Sequence, residues 1–268
     1  MVPLAGQGMP DPQHYLFDFP RVGRPEPFAI PEEWYPGIKR HWAKSTSSRV
    51  SDPLMGIRTV VIHATAGVSS EGAMSVMKAH KASWHWVVPD ESESQHGHFV
   101  WACVPEARAA RHVRNSASHP QVNEGGNRTN HTSLAIAIVN SRIGRIVEPF
   151  SNWQVAATAQ IARYCWAKYP NVRHVVSHAA LDPSRKSDPG PHFPWDEFKT
   201  QVLRPSLLES VNPLVAETTH IDLLPGATSA DGCCAPAAAV SCAGFASRPG
   251  RPDELTGPGV RGDARDRA

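Results

Sequence analysis

The sequence predicts an α/β domain, a central mixed β-sheet flanked by helices, carrying an extended N-terminal arm and followed by a flexible C-terminal tail. Between residues 57 and 205, short β-branched apolar runs alternate with segments of helical period. Residues 1–56 hold nine prolines, which forbid long helices, together with Tyr15, Phe17, Phe19, Phe28, Trp34, Tyr35 and Trp42. That much aromatic surface is costly to leave in water, so the segment is expected to pack on the following domain. Residues 225–268 are 27% Gly plus Pro with Phe245 their only aromatic, the composition of a tail. The expected organisation is therefore an arm over 1–56, a folded domain over 57–205, a connector over 206–224 and a tail over 225–268.

Within the domain, Arg58 to His63 is short, β-branched and apolar, the pattern of a buried strand. Ser69 and Ser70 suit the start of a helix running to about Lys81, with Ala73, Met74 and Met77 as its apolar stripe. Trp84 to Val88 and Phe99 to Val104 read as two further strands. From Thr132 to Asn140, Leu134, Ile136 and Ile138 alternate with Ser133, Ala135, Ala137 and Val139, so one face carries large side chains and the other small ones. Asn152 is placed to cap a helix with Trp153, Ala157, Ile161, Cys165 and Tyr169 at i, i+4 spacing, ended by Pro170. Val172 to His178 is the last strand, and Pro189-Gly190-Pro191 breaks any regular element beyond it. The expected order is β-α-β-β-β-α-β.

The chain has 268 residues with 27 Lys plus Arg against 25 Asp plus Glu, a net charge of +2. So balanced a surface argues against phosphate-driven nucleic-acid binding. Apolar residues make up 41%, enough for a core, and no apolar run reaches the length that spans a bilayer. The opening residues Met1 to Gly6 carry neither a basic nor a continuous apolar region, so a cytoplasmic location, with export only by lysis or a specialised route, is the expectation. Five cysteines (Cys103, Cys165, Cys233, Cys234 and Cys242) form no patterned set and imply no disulfide framework.

Fourteen histidines are the first sign of chemistry. A catalytic zinc takes three N or O protein ligands and keeps one position open. Strand ends serve such ligands well, because the sheet holds them rigid while adjoining loops open a cleft. His63 closes the first strand and His178 the last; Asp188 comes ten residues on, in a loop stiffened by Pro189 and Pro191. By spacing alone, hydrogen-bonded structural histidines at strand ends fit the same pattern.

Four blocks fall in an informative order: Val61-Ile62-His63-Ala64-Thr65, Ser83-Trp84-His85-Trp86-Val87-Val88, Asn130-His131-Thr132-Ser133-Leu134, and Val176-Ser177-His178-Ala179-Ala180 through Arg185-Lys186-Ser187-Asp188-Pro189-Gly190-Pro191. Over about residues 57–198 the chain resembles the type 2 N-acetylmuramoyl-L-alanine amidases, relatives of peptidoglycan recognition proteins and of phage lysozyme-type amidases. The resemblance implies a zinc ion, one per chain, held by His63, His178 and Asp188. It implies Lys186 as the cation that stabilises the oxyanion, and substrate-groove positions at His112, His85 and Asn130. The implied reaction is hydrolysis of the amide joining N-acetylmuramic acid to L-alanine, with peptidoglycan or a muropeptide fragment as partner.

The pattern breaks at one point. Many relatives read Ser-Ile-Gly-Ile-Glu along the central strand, the glutamate being the general base; here Ser133-Leu134-Ala135-Ile136-Ala137 puts alanine in that place. A tyrosine serves in the recognition-protein and phage branch, but its position is Trp84, whose indole N–H only donates. Three readings are open: impaired hydrolysis, transfer of the proton role to His85 or Glu124, or a non-catalytic zinc-containing muropeptide-binding module. Gly257 to Gly262 spells GxGxxG and Arg261-Gly262-Asp263 an adhesion-like tripeptide, both set aside because they fall in the tail.

Overall fold

The structure, a computed structural model, describes residues 14–141 and 148–204. The connector 206–224, the tail 225–268, the cysteines Cys233, Cys234 and Cys242 and the two tail motifs lie outside the described residues. In chain order the elements are β1 (Leu16–Asp18), β2 (Glu32–Trp34), a 3-10 turn (Ile38–His41), α1 (Trp42–Ser45), β3 (Thr46–Ser48), β4 (Thr59–Ala64), α2 (Ser70–Lys78), β5 (Trp86–Val88), β6 (Val100–Ala102), β7 (Arg108–Ala110), β8 (Ser133–Ile138), α3 (Asn152–Lys168), β9 (His174–Ser177), α4 (His178–Leu181) and α5 (Trp195–Leu203). Seven strands form the main sheet in the order β1-β9-β4-β8-β5-β6-β2, and β3 pairs with β7 separately.

The four central strands β9, β4, β8 and β5 are parallel. Strands buried on both faces read as continuous apolar runs, as β4 and β8 do. The alternation in β8 sorts the two faces. Leu134, Ile136 and Ile138 join Val60, Ile62, Trp166 and Phe198 in the core beneath α3 and α5. Ala135, Ala137 and Val139 join Ala73, Met74, Met77, Trp84 and Val87 beneath α2. His63 pairs in register with Ala137, and Thr59 with Ser133, so the ring of His63 rises from this small-residue face.

Local chemistry sets the element ends. Ser69 caps α2 by accepting from the Gly72 N–H at 3.1 Å. The helix stops at Lys78, short of the expected Lys81, because His80 takes a left-handed φ of 60°. The cap of α3 is Ser151, not Asn152: its hydroxyl accepts from Gln154 N–H at 3.1 Å, and the Gln154 side chain accepts from Ser151 N–H at 3.2 Å. The last strand ends at Ser177, whose hydroxyl accepts from Ala180 N–H at 3.0 Å, so His178 opens α4 instead of closing the strand. The strands β1, β2, β3 and β7 and the helices α1, α4 and α5 are additions to the expected order.

Within residues 14–56, β1 and β2 extend the domain's sheet. β1 pairs antiparallel with β9, and β2 parallel with β6, so the arm covers both sheet edges. Phe17 and Phe19 enter the main core, Phe19 stacks on Trp166 with centroids 5.2 Å apart, and Tyr15 stacks on Trp195 at 4.6 Å. Cys103 and Cys165 are buried and free.

Candidate metal centre

β4 and the β9–α4 junction bring His63 and His178 side by side at the C-terminal ends of neighbouring parallel strands. The Asp188 loop is tied to the same place, since Ala179 N–H donates to the Asp188 carbonyl at 3.0 Å. All three side chains are buried. Their donor atoms form a nearly equilateral triangle: His63 Nδ1 to His178 Nδ1 3.0 Å, His63 Nδ1 to Asp188 Oδ2 3.1 Å, and His178 Nδ1 to Asp188 Oδ2 3.0 Å. Among the described residues this is the one such His/Cys/Asp/Glu cluster.

The proton inventory of its neighbours shows why the triangle suits a cation. Ser133 O–H donates to the Thr129 carbonyl at 2.6 Å, so its oxygen accepts from His112 Nε2–H at 3.0 Å. Burial, then the charges of His63, His85 and His178, hold His112 well below the ordinary imidazole pKa, so its Nδ1 carries a lone pair. That lone pair accepts from His63 Nε2–H at 3.0 Å. Burial, reinforced by His178 and opposed by the Asp188 hydrogen bond, pushes His63 down to about 4. His63 Nδ1 is therefore also a lone pair, aimed at a carboxylate oxygen. Two electron-rich atoms facing each other at hydrogen-bond distance call for a cation between them. Zinc with bonds of about 2.0–2.1 Å sets tetrahedral ligand atoms about 3.3 Å apart, close to the spacing seen. Burial raises the Asp188 carboxyl, but the neighbouring His178 and His63 rings outweigh it and hold the group well below the usual carboxylate range. The two-nitrogen, one-oxygen set fits zinc.

The other residues singled out in the sequence are placed differently. Lys186 is partly exposed, near enough for its charge to disfavour protonation of His63, and among the described residues no ion pair claims its ammonium. His112 is not a free groove histidine, because both ring nitrogens are used, one on His63 and one on Ser133. Asn130 is a brace for His112: its Oδ1 accepts from His112 and Val113 N–H at 3.2 and 2.9 Å, and its Nδ2 donates to the Val113 carbonyl at 2.7 Å. His85 is fully buried, with Nδ1 accepting from Ala135 N–H at 2.9 Å and Nε2 donating to the Arg108 carbonyl at 3.1 Å. Neither a substrate contact nor a base is left in it. Glu124 pairs with Arg58 beside Asp18 and His174, at the start of β4 and β9. His63 lies five residues further along β4, about 16 Å away, so Glu124 is at the wrong end of the sheet to take a proton there. Ala137 lies next to His63 and is itself fully buried.

Neutral buried imidazoles make stability depend on pH. Burial first, then the Arg49 charge, also holds His85 well below its ordinary value. With native pKa values below the unfolded 6.5, the unfolded chain binds more protons as pH falls from about 6.5 toward 4, so stability is full above that window and lost on descending through it. Each ring still neutral at pH 5 accounts for about 2 kcal/mol. The metal-free protein should melt at least about 5 °C lower at pH 5 than at pH 7.5. A melting temperature flat across that range would contradict the burial-driven neutrality.

The site defines a class: a sheet-end centre of two histidines and an aspartate with a lysine beside it. Residues 53–191 match the N-acetylmuramoyl-L-alanine amidase family, about half of the chain. The chain belongs to the type 2 N-acetylmuramoyl-L-alanine amidase family. It is 32% identical over 152 residues to the N-acetylmuramoyl-L-alanine amidase AmiD of Escherichia coli K12, covering 54% of this chain and 53% of that protein. The chain thus spans about half the length of that relative. Among solved structures, AmpDh3 of Pseudomonas aeruginosa is 26% identical with a TM-score of 0.49, covering 58% of this chain and 63% of that one. E. coli AmiD in complex with anhydro-N-acetylmuramic acid-L-Ala-D-γ-Glu-L-Lys is 28% identical with a TM-score of 0.47, covering 59% and 66%. No helix among the described residues is long and apolar enough to cross a membrane.

Proposed function

We propose that this chain is a zinc amidase that hydrolyses the amide between N-acetylmuramic acid and L-alanine in peptidoglycan or its fragments, and that it does so slowly because Ala137 replaces the general base. The observation that carries the reading is the triangle of His63 Nδ1, His178 Nδ1 and Asp188 Oδ2, each pair 3.0–3.1 Å apart. A zinc ion held there supplies Lewis acidity, lowering the pKa of a water and polarising the scissile carbonyl.

The chain's own residues do the rest. His63 from the end of β4, His178 from the start of α4 and Asp188 from the following loop would hold the ion. The row His63–His112–Ser133–Thr129 fixes the tautomer of His63 and the orientation of its ring. Lys186 presents an ammonium to the carbonyl oxygen on which negative charge develops. Among the described residues, the site has Ala137 where a carboxylate would accept the attacking water's proton. His85 and Glu124 are excluded by their contacts and position, and loss of such a base typically costs about 10²–10⁴-fold.

The row through His112 carries its own expectation. His112→Phe removes the acceptor for His63 Nε2–H and should weaken zinc binding about 10–100-fold in chelator competition, with His112→Gln less affected. Unchanged affinity in His112→Phe would show that the row does not orient the ligand.

The reading is tested by incubating zinc-loaded protein with N-acetylmuramoyl-L-alanyl-γ-D-glutamyl-L-lysine and following release of the free tripeptide. Slow, zinc-dependent release is the expected result; release of equal rate without metal would overturn the reading. The absent base also supports a second reading, a zinc-containing module that binds muropeptides without cutting them. Tight binding with no release, from this chain and from Ala137→Glu alike, would favour it.

A further inference from the structure

We propose that Arg114 and Arg185, yoked by the buried carboxylate of Asp182, form an anion subsite that takes a free carboxylate of the stem peptide about two residues from the scissile amide. The inference rests on the amidase reading and names the chemistry of substrate it would prefer.

The side chain of Asp182 is only 1% exposed, whereas those of Arg114 and Arg185 are 50% and 47% exposed. Arg114 Nη2 donates to Asp182 Oδ1 at 3.0 Å. Arg185 reaches Oδ2 through Nε at 2.9 Å and Nη2 at 2.8 Å. One carboxylate thus orients two guanidiniums from below. Each guanidinium has five N–H donors and spends only one or two here, so outward-facing donors remain on both. Among the described residues no other carboxylate pairs with either arginine. Two half-exposed cations thus share a single buried anion, and Lys186 follows Arg185 in sequence. A surface kept so unbalanced, on arginines held rather than waving, suits a carboxylate ligand.

The position relative to the metal centre is set by the chain. Asp182 N–H donates to the His178 carbonyl at 3.1 Å, placing it one helical turn, about 6 Å, beyond that ligand. Arg114 lies two residues past His112, whose ring contacts His63. The bridge therefore joins the segment that braces His63, 112–114, to the one that carries His178 and Asp188, 178–188. In an extended peptide the carboxylate on the second residue lies about 7 Å from the carbonyl under attack, given about 3.3–3.6 Å per residue. A γ-linked acidic residue keeps its α-carboxylate free at that place; an α-amidated one does not.

The test compares two probes by calorimetry on the zinc-loaded full chain: N-acetylmuramoyl-L-alanyl-γ-D-glutamyl-L-lysine and its α-amide. The acid should bind at least about 10-fold more tightly than the amide. Arg114→Gln and Arg185→Gln should each weaken the acid about 10-fold while leaving the amide unchanged, because the amide makes no use of the charge. Asp182→Asn, which keeps both cations but loosens them, should lose part of the preference. Zinc content and melting temperature confirm that each variant is folded. Equal binding of acid and amide by the unaltered protein, or a preference that survives both arginine substitutions, would overturn the subsite and leave the amidase reading standing. Binding of neither probe would overturn the amidase reading and the subsite with it.

Discussion

Replacing His63 with alanine should strip the protein of zinc, lowering occupancy from about one ion per chain to below about a tenth. His63 supplies one of three donors, and its row through His112 is anchored on Ser133 and the Thr129 carbonyl, so no neighbouring nitrogen can swing in to replace it. Lewis-acid stabilisation worth several kcal/mol goes with the ion, and turnover should fall by at least about 10³-fold. A readout independent of turnover is the stabilisation that zinc confers on the unaltered protein, about 4 kcal/mol at a thousandfold excess over its Kd. That gain should vanish in His63→Ala, while the metal-free variant still melts cooperatively. His178→Ala and Asp188→Ala should behave alike, since the three donors are equivalent in the triangle. Zinc-dependent stabilisation persisting in His63→Ala would place the ion elsewhere.

Ala137→Glu should raise turnover on a muramoyl peptide by about 10²-fold or more, within the 10²–10⁴ range a positioned base supplies. Ala137 pairs in register with His63, so a carboxylate introduced there starts from the strand position beside the metal ligand. The gain comes against a packing cost. Ala137 is fully buried in a cluster with Met74, Met77, Trp84 and Val87, and enlarging a packed site costs typically about 1–3 kcal/mol. The variant should therefore melt several degrees lower while cutting faster. Rates are to be compared per zinc-loaded folded molecule. A folded, zinc-loaded Ala137→Glu with no gain would show that this site does not use a base from β8.

The clustering of His63, His178 and Asp188 was legible in the sequence because these residues lie in short motifs bounded by clear strands. The size alternation of β8 likewise foretold that its two faces would differ, and the large-residue face lies beneath α3 and α5. The hydrogen-bond partners of His112, Asn130 and His85 were not legible, because they lie far away in sequence. The tautomer of His63 is decided by Ser133 and Thr129, and His85 is spent on the backbone of Ala135 and Arg108. No spacing rule carries that information. Other misses had a signal. Ser151 with Gln154 three residues on is a capping-box pattern, stronger than Asn152 alone. Trp195, Phe198 and Val202 are buried on one face of α5 at helical spacing, although Pro189 to Pro191 suggested an end. β1, β2 and β7 span only three residues each and exist through their pairing with β9, β6 and β3, so no local period marks them.

The central claim is that two imidazoles and a carboxylate, from three separate segments, share one divalent ion. X-ray absorption at the zinc edge of the purified protein, alongside metal analysis, reads this most directly. The account predicts one zinc per chain with nitrogen and oxygen neighbours at about 2.0–2.1 Å and an imidazole scattering pattern from two rings that falls to one in His178→Ala. A protein without zinc after loading, a shell containing sulfur, or an imidazole signal unchanged in His178→Ala would contradict it.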